Sequence, residues 1–175
     1  MFVLRGRASD RDIPFEVLEK GDVSGFVEEA YFVVKDEIDW VRFWERHTSV
    51  REPRPPPLID FSRSVVVCAF MGQCPTTGYS ISIERIWTDG EYVFVEVFKR
   101  CPPKDLAVCQ MVTYPYVIVL MDKADMHFVF RVVDENGETA EYMLSEYPLA
   151  PILIVFLALV CGVGVSLKTR KIPLP

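Results

Sequence analysis

Apolar positions along this chain recur mostly at every second residue, in short runs broken by glycine, proline and acidic turns, which is a strand pattern. Residues 15–20 and 25–35 read as two short strands about Gly21 and Asp22. At Asp36 the period lengthens. From 37 to 47, Ile38, Val41 and Trp44 fall on one helical face with Trp40 beside them, and Asp36, Glu37 and Asp39 suit a positive helix N-terminus. Trp40 and Trp44 are expected to plug the core rather than stack on a ligand. REPRPPP at 51–57 cannot continue the helix and reads as a stiff connector, with a polyproline II docking site for a partner as the alternative. Residues 64–71 are apolar on both faces, as a central strand must be.

MGQCPTTGY at 71–79 reads as a corner leading into the hairpin of 78–87 with 91–100. A three-residue loop, Thr88-Asp89-Gly90 with Gly90 left-handed, sets Ile81 opposite Val97 and Ile83 opposite Val95, with Ser82 and Glu96 on the other face. It also brings Gly78 level with Lys99 or Arg100, so Cys74 and Cys101 flank one end of the hairpin. Strands are expected at 106–111 and 116–121, joined through Tyr114-Pro115-Tyr116, and a closing hairpin at 128–134 and 139–144 turns about Glu135-Asn136-Gly137. The expected fold class is α+β, mainly β: a small twisted antiparallel β-sandwich or partly closed barrel with one helix, plus a C-terminal transmembrane helix.

That last element comes from 147–167, an uncharged run whose length as a helix, roughly 31 Å, matches a bilayer core. Lys168, Arg170 and Lys171 follow it, and the basic flank puts a tail of 168–175 in the cytoplasm, with the β-rich domain of 13–146 extracytoplasmic. The N-terminal segment 1–12 lacks the apolar core of a signal peptide. Either the natural start lies upstream or a signal has been left out, or the protein is tail-anchored with its domain in the cytoplasm; the basic flank favours the former. Removing the three basic tail residues from the net charge of -6 leaves -9 on 1–146, which disfavours nucleic acid as a partner. Asparagine occurs only at 136 and glutamine only at 73 and 110, a composition in keeping with a thermophile.

Candidate chemistry is sparse. His47 sits at a helix C-terminus, where an imidazolium is favoured, and His127 opens a strand; neither lies in a hydrolase motif, and no phosphate-binding glycine loop exists. Cys74 and Cys101, each followed by proline, are candidates for a disulfide, and a reversible thiol–disulfide redox module is the alternative function they suggest. Cys68 and Cys109 read as small buried thiols, and the irregular spacing speaks against a four-cysteine zinc site. No cofactor is called for.

The order of motifs resembles the PrcB C-terminal domain family, named for an accessory subunit of a surface protease complex. The resemblance covers about 15–121: a strand pair, the tryptophan-bearing helix, Asp60-Phe61 before a valine-rich strand, Gly72 with Thr77-Gly78-Tyr79, and Thr113-Tyr114-Pro115-Tyr116. It implies a noncatalytic, extracytoplasmic accessory module and supplies no catalytic residue. The expected partner is a protein, a protease or a membrane or surface assembly, with the membrane reached through 147–167. Gly72, Gly78, Tyr79, Tyr114, Pro115 and Tyr116 form the structural motif, and exposed aromatics there would suit an adhesive or sugar-binding role.

Overall fold

The computed structural model describes residues 10–103, 105 and 107–144. Among these residues nine strands and one helix follow in the order β1 (Arg11–Asp12), β2 (Phe15–Gly21), β3 (Ala30–Val34), α1 (Glu37–Thr48), β4 (Ser64–Phe70), β5 (Ser80–Thr88), β6 (Tyr92–Arg100), β7 (Tyr116–Asp122), β8 (His127–Asp134) and β9 (Thr139–Met143). They form a five-stranded sheet in the order β1-β5-β6-β8-β9 and a four-stranded sheet in the order β2-β7-β4-β3.

The doubly apolar strands explain the layering. On β4, Val65, Val67 and Ala69 face the five-stranded sheet, whereas Val66, Cys68 and Phe70 face α1. On β7, Val117, Val119 and Met121 face the same sheet, and Tyr116 and Ile118 face the helix. The four-stranded sheet therefore lies between the other sheet and α1, and its central strands bury both faces.

Helix α1 is capped by Asp36, whose carboxylate accepts from the Asp39 N–H at 2.9 Å. Its buried face carries Trp40, Phe43, Trp44, His47 and Thr48. Ile38, expected on that face, is instead 67% exposed, and Val41 is exposed beside it. The reason is spacing: Trp40, Phe43, Trp44 and His47 follow the i, i+3, i+4, i+7 stripe, and Ile38 lies across the helix from it.

Five further expectations are corrected. The sheets are not wholly antiparallel, because β6 and β8 pair in parallel after the chain crosses to β7 in the other sheet and returns. No strand forms among the described residues of 106–111, so Cys109 is exposed rather than buried. The β5–β6 register is shifted, with Ile83 opposite Val97 and Ile86 opposite Val95. A bulge at Glu84 causes this: Ile86 is out of phase with Ile81 and Ile83, and one extra residue returns all three to the core. Gly90 does adopt positive φ, but the last pair is Thr88 with Val93, so the loop is longer than expected. Finally, the expected transmembrane helix at 147–167 lies outside the described residues. No helix among those is long and apolar enough to cross a membrane, and the fold class is the two-sheet, one-helix domain without it.

Phe70 contacts the rings of Phe26, Phe32, Phe43, His47 and Tyr116 and is fully buried. Phe70→Ala is expected to cost about 3–5 kcal/mol in urea unfolding, whereas Val17→Ala on the half-exposed edge of β2 should cost under about 1 kcal/mol.

Candidate functional site

The corner at 71–79 is zipped against the segment before β7. Met71 N–H donates to the Pro115 carbonyl at 2.9 Å, Cys74 and Thr113 exchange backbone bonds at 2.8 and 2.9 Å, and Thr77 N–H reaches the Cys109 carbonyl at 3.1 Å. The Thr113 hydroxyl closes the ladder by donating to the Thr76 carbonyl at 2.9 Å. Gly72 lies at φ 79, and a Cβ there would stand 2.7 Å from the Glu29 nitrogen, so no larger residue fits beneath the loop before β3. A Cβ on Gly78, at φ 92, would stand 2.8 Å from the Pro102 ring. Tyr79 and Tyr114 are half-buried, and Pro115 and Tyr116 are buried. Around this corner Val23, Val27, Met111 and Val112 remain exposed. Val27 accepts the Gln73 N–H through its carbonyl, and Val23 follows Asp22, whose carbonyl accepts the Tyr114 N–H.

Tyr116 leads from the corner into a polar cluster that sequence reasoning did not assemble. Glu19 Oε1 accepts from the Tyr116 hydroxyl at 2.6 Å, from Arg51 at 2.9 Å and from Arg54. Arg51 also donates to the Tyr116 oxygen at 2.8 Å and lies over its ring. A second bulge, between Val17 and Glu19, places Glu19 opposite Ile118 and so on the helix side of β2. Partial burial raises the affinity of this carboxylate for a proton, but the bonds from Tyr116, Arg54 and Arg51 prevail and hold its pKa at about 2.

His47 lies at the bottom of the cluster with no exposed surface. Its Nδ1 is 2.9 Å from the Ser24 hydroxyl, and its Nε2 is 3.8 Å from Glu19 Oε1 without a hydrogen bond. The Phe26 N–H donates to the Ser24 oxygen at 3.2 Å, which suits a serine that donates to Nδ1 and an imidazole protonated on Nε2, toward the carboxylate. Burial lowers its pKa to about 4, so the ring is neutral near pH 7, unlike the expected helix-terminal imidazolium. Serine, histidine and glutamate thus meet, yet Ser24 and His47 are wholly buried and Glu19 is taken up by two arginines and a tyrosine. This arrangement holds parts of the fold together and offers a substrate no access.

Cys68, Cys74, Cys101 and Cys109 are free thiols, with Cys74 and Cys101 near enough to interact electrostatically. Burial raises the pKa of Cys74, and burial together with Glu135 raises that of Cys101. A redox-active dithiol relies on the opposite shift. Among the described residues no cluster of His, Cys, Asp or Glu could hold a metal ion. His127 is exposed at the start of β8.

The corner, its zipper and the two doubly buried strands lie in one contiguous stretch of sequence. The PrcB C-terminal family model matches residues 65–122. The match spans β4 to β7 and bears out the resemblance drawn from the glycine-tyrosine corner and Tyr-Pro-Tyr. Among the described residues of this PrcB-like stretch the only contributor to the polar cluster is Tyr116; Glu19, Ser24, His47, Arg51 and Arg54 precede it. No curated protein and no solved structure matches the chain. A signal for the cluster was present in β2, where Leu18 breaks the alternation of Phe15, Val17 and Glu19.

Both acidic-range groups destabilise the fold as pH falls. An unfolded histidine binds its proton near 6.5 and the folded His47 only near 4, so stability drops through that window by about 3 kcal/mol; Glu19 adds a further loss from 4.5 down to about 2. His47→Phe is expected to flatten the stability curve between pH 6.5 and 4, as measured by urea unfolding at stepped pH. Peptide-resolved alkylation at pH 8 should label Cys109 first and Cys101 more slowly, with Cys74 and Cys68 protected until unfolding.

Proposed function

We propose that this domain is a noncatalytic accessory module that docks on a protein partner, a protease complex being the partner class the family suggests. The match of residues 65–122 to the PrcB C-terminal family carries this reading. The corner supports it physically. Its glycines and backbone zipper are committed to shape, which leaves Val23, Val27, Met111 and Val112 as a rigidly supported apolar rim suited to a protein surface. The serine–histidine–glutamate contact supports it too, because those groups are consumed in packing.

Mild purification of the tagged full chain from its native host is expected to bring down a protease in stoichiometric amount, and the purified components should re-form the complex. Met111→Glu combined with Val112→Glu should weaken that complex at least ten-fold without lowering Tm, since both positions are exposed. Recovery of the chain alone would overturn the reading.

A further inference from the structure

The connector between α1 and β4 has a conformation that follows from its sequence. Pro53, Pro55, Pro56 and Pro57 fix their own φ, and Glu52, Arg54, Pro55 and Pro56 each precede a proline and are driven out of the α region. With no cis peptide bond, the segment is confined to polyproline II. Its inner side is fastened. Trp44 Nε1 donates to the Arg54 carbonyl at 3.0 Å and Trp40 Nε1 to the Pro57 carbonyl at 2.9 Å. Three residues separate those carbonyls, one turn of polyproline II, so both point at the helix. Arg54 also lies over the Trp44 ring, and Arg51 and Arg54 are tied to Glu19.

The outer side is open at Pro55 and Leu58. Pro53 and Pro55 are exposed, and Leu58, which shares a face with Pro55 by the same three-residue repeat, is 100% exposed. The carbonyls of Pro53, Pro55 and Pro56 accept no hydrogen bond among the described residues. Prolines have no N–H, so the ridge offers acceptors and apolar rings with almost no donors. It cannot add to a β-sheet edge, which needs both. It complements a groove lined by tryptophan and tyrosine, whose rings pack on proline and whose N–H or O–H groups reach the carbonyls. Trp40 and Trp44 already bind the ribbon in this manner from the other side.

We propose that the ridge of Pro55 and Leu58 is a docking surface for an aromatic-lined, polyproline-reading groove on a partner protein. The clamp on the inner side removes the ordering cost that a free proline-rich peptide would meet on binding. This surface is separate from the corner, and its test does not involve a protease, so it can fail while the accessory reading stands.

The ¹⁵N-labelled full chain would be titrated with isolated WW, SH3 and EVH1 domains as probes, following the Leu58 amide and the indole N–H signals of Trp40 and Trp44. A saturable shift of Leu58 with the indole signals unmoved is expected, weakened at least ten-fold by Pro55→Ala with Leu58→Ser. Unmoved indole signals in that variant would show the strap intact; if they move, Leu58→Ser alone, at a fully exposed position, replaces it. No saturable shift with any probe, or binding that the substitutions leave unchanged, would overturn the proposal.

Discussion

A four-stranded sheet with apolar side chains on both faces cannot stand in water on either side, and that constraint sets the architecture. The five-stranded sheet covers one face of β4 and β7, and α1 covers the other. The helix in turn presents two indoles whose N–H groups need acceptors once buried. The proline-rich strap supplies them with carbonyls that have no strand or helix partner. Each layer meets a requirement left by the one beneath it.

Glu19 locks the outermost of these layers. Its carboxylate draws together the edge strand β2, the residues after α1, and Tyr116 of β7, in a site where a lone charge would be costly. Three donors converge on one oxygen, which is why the group stays ionised despite partial burial. His47 contributes by being neutral: it packs flat on Phe43 and edge-on to Tyr116 at 4.5 Å and takes its one hydrogen bond from within the core.

The central strand, both hairpins and the helix with its cap were legible in the sequence because each depends on a local pattern: a doubly apolar run, turn residues, or Asp36 ahead of an amphipathic stretch. The Ile38 face was misjudged because two apolar residues were weighed against a stripe that includes a histidine. Residues 106–111 look like a strand by composition, but their described backbone bonds go to the corner at Thr77 or stay within the stretch, from Met111 to Cys109, rather than to a sheet. The polar cluster was hidden for a different reason. Glu19 and Tyr116 lie 97 residues apart, so although the out-of-phase Leu18 marks the bulge, nothing local names the partner that the turned glutamate meets. That out-of-phase Ile86 and Leu18 both mark bulges shows that broken alternation carries information in its own right.

The parallel pairing of β6 with β8 has a consequence for how the chain reaches this state. Between the two strands the polypeptide leaves for the four-stranded sheet, lays down β7 beside β4, and only then returns. Hairpins such as β5–β6 can close locally, whereas β6–β8 and, across a longer stretch of chain, β2–β7 close loops that cost entropy before any contact repays it. The topology therefore places the slow part of folding in pairing across long stretches of chain rather than in closing the hairpins.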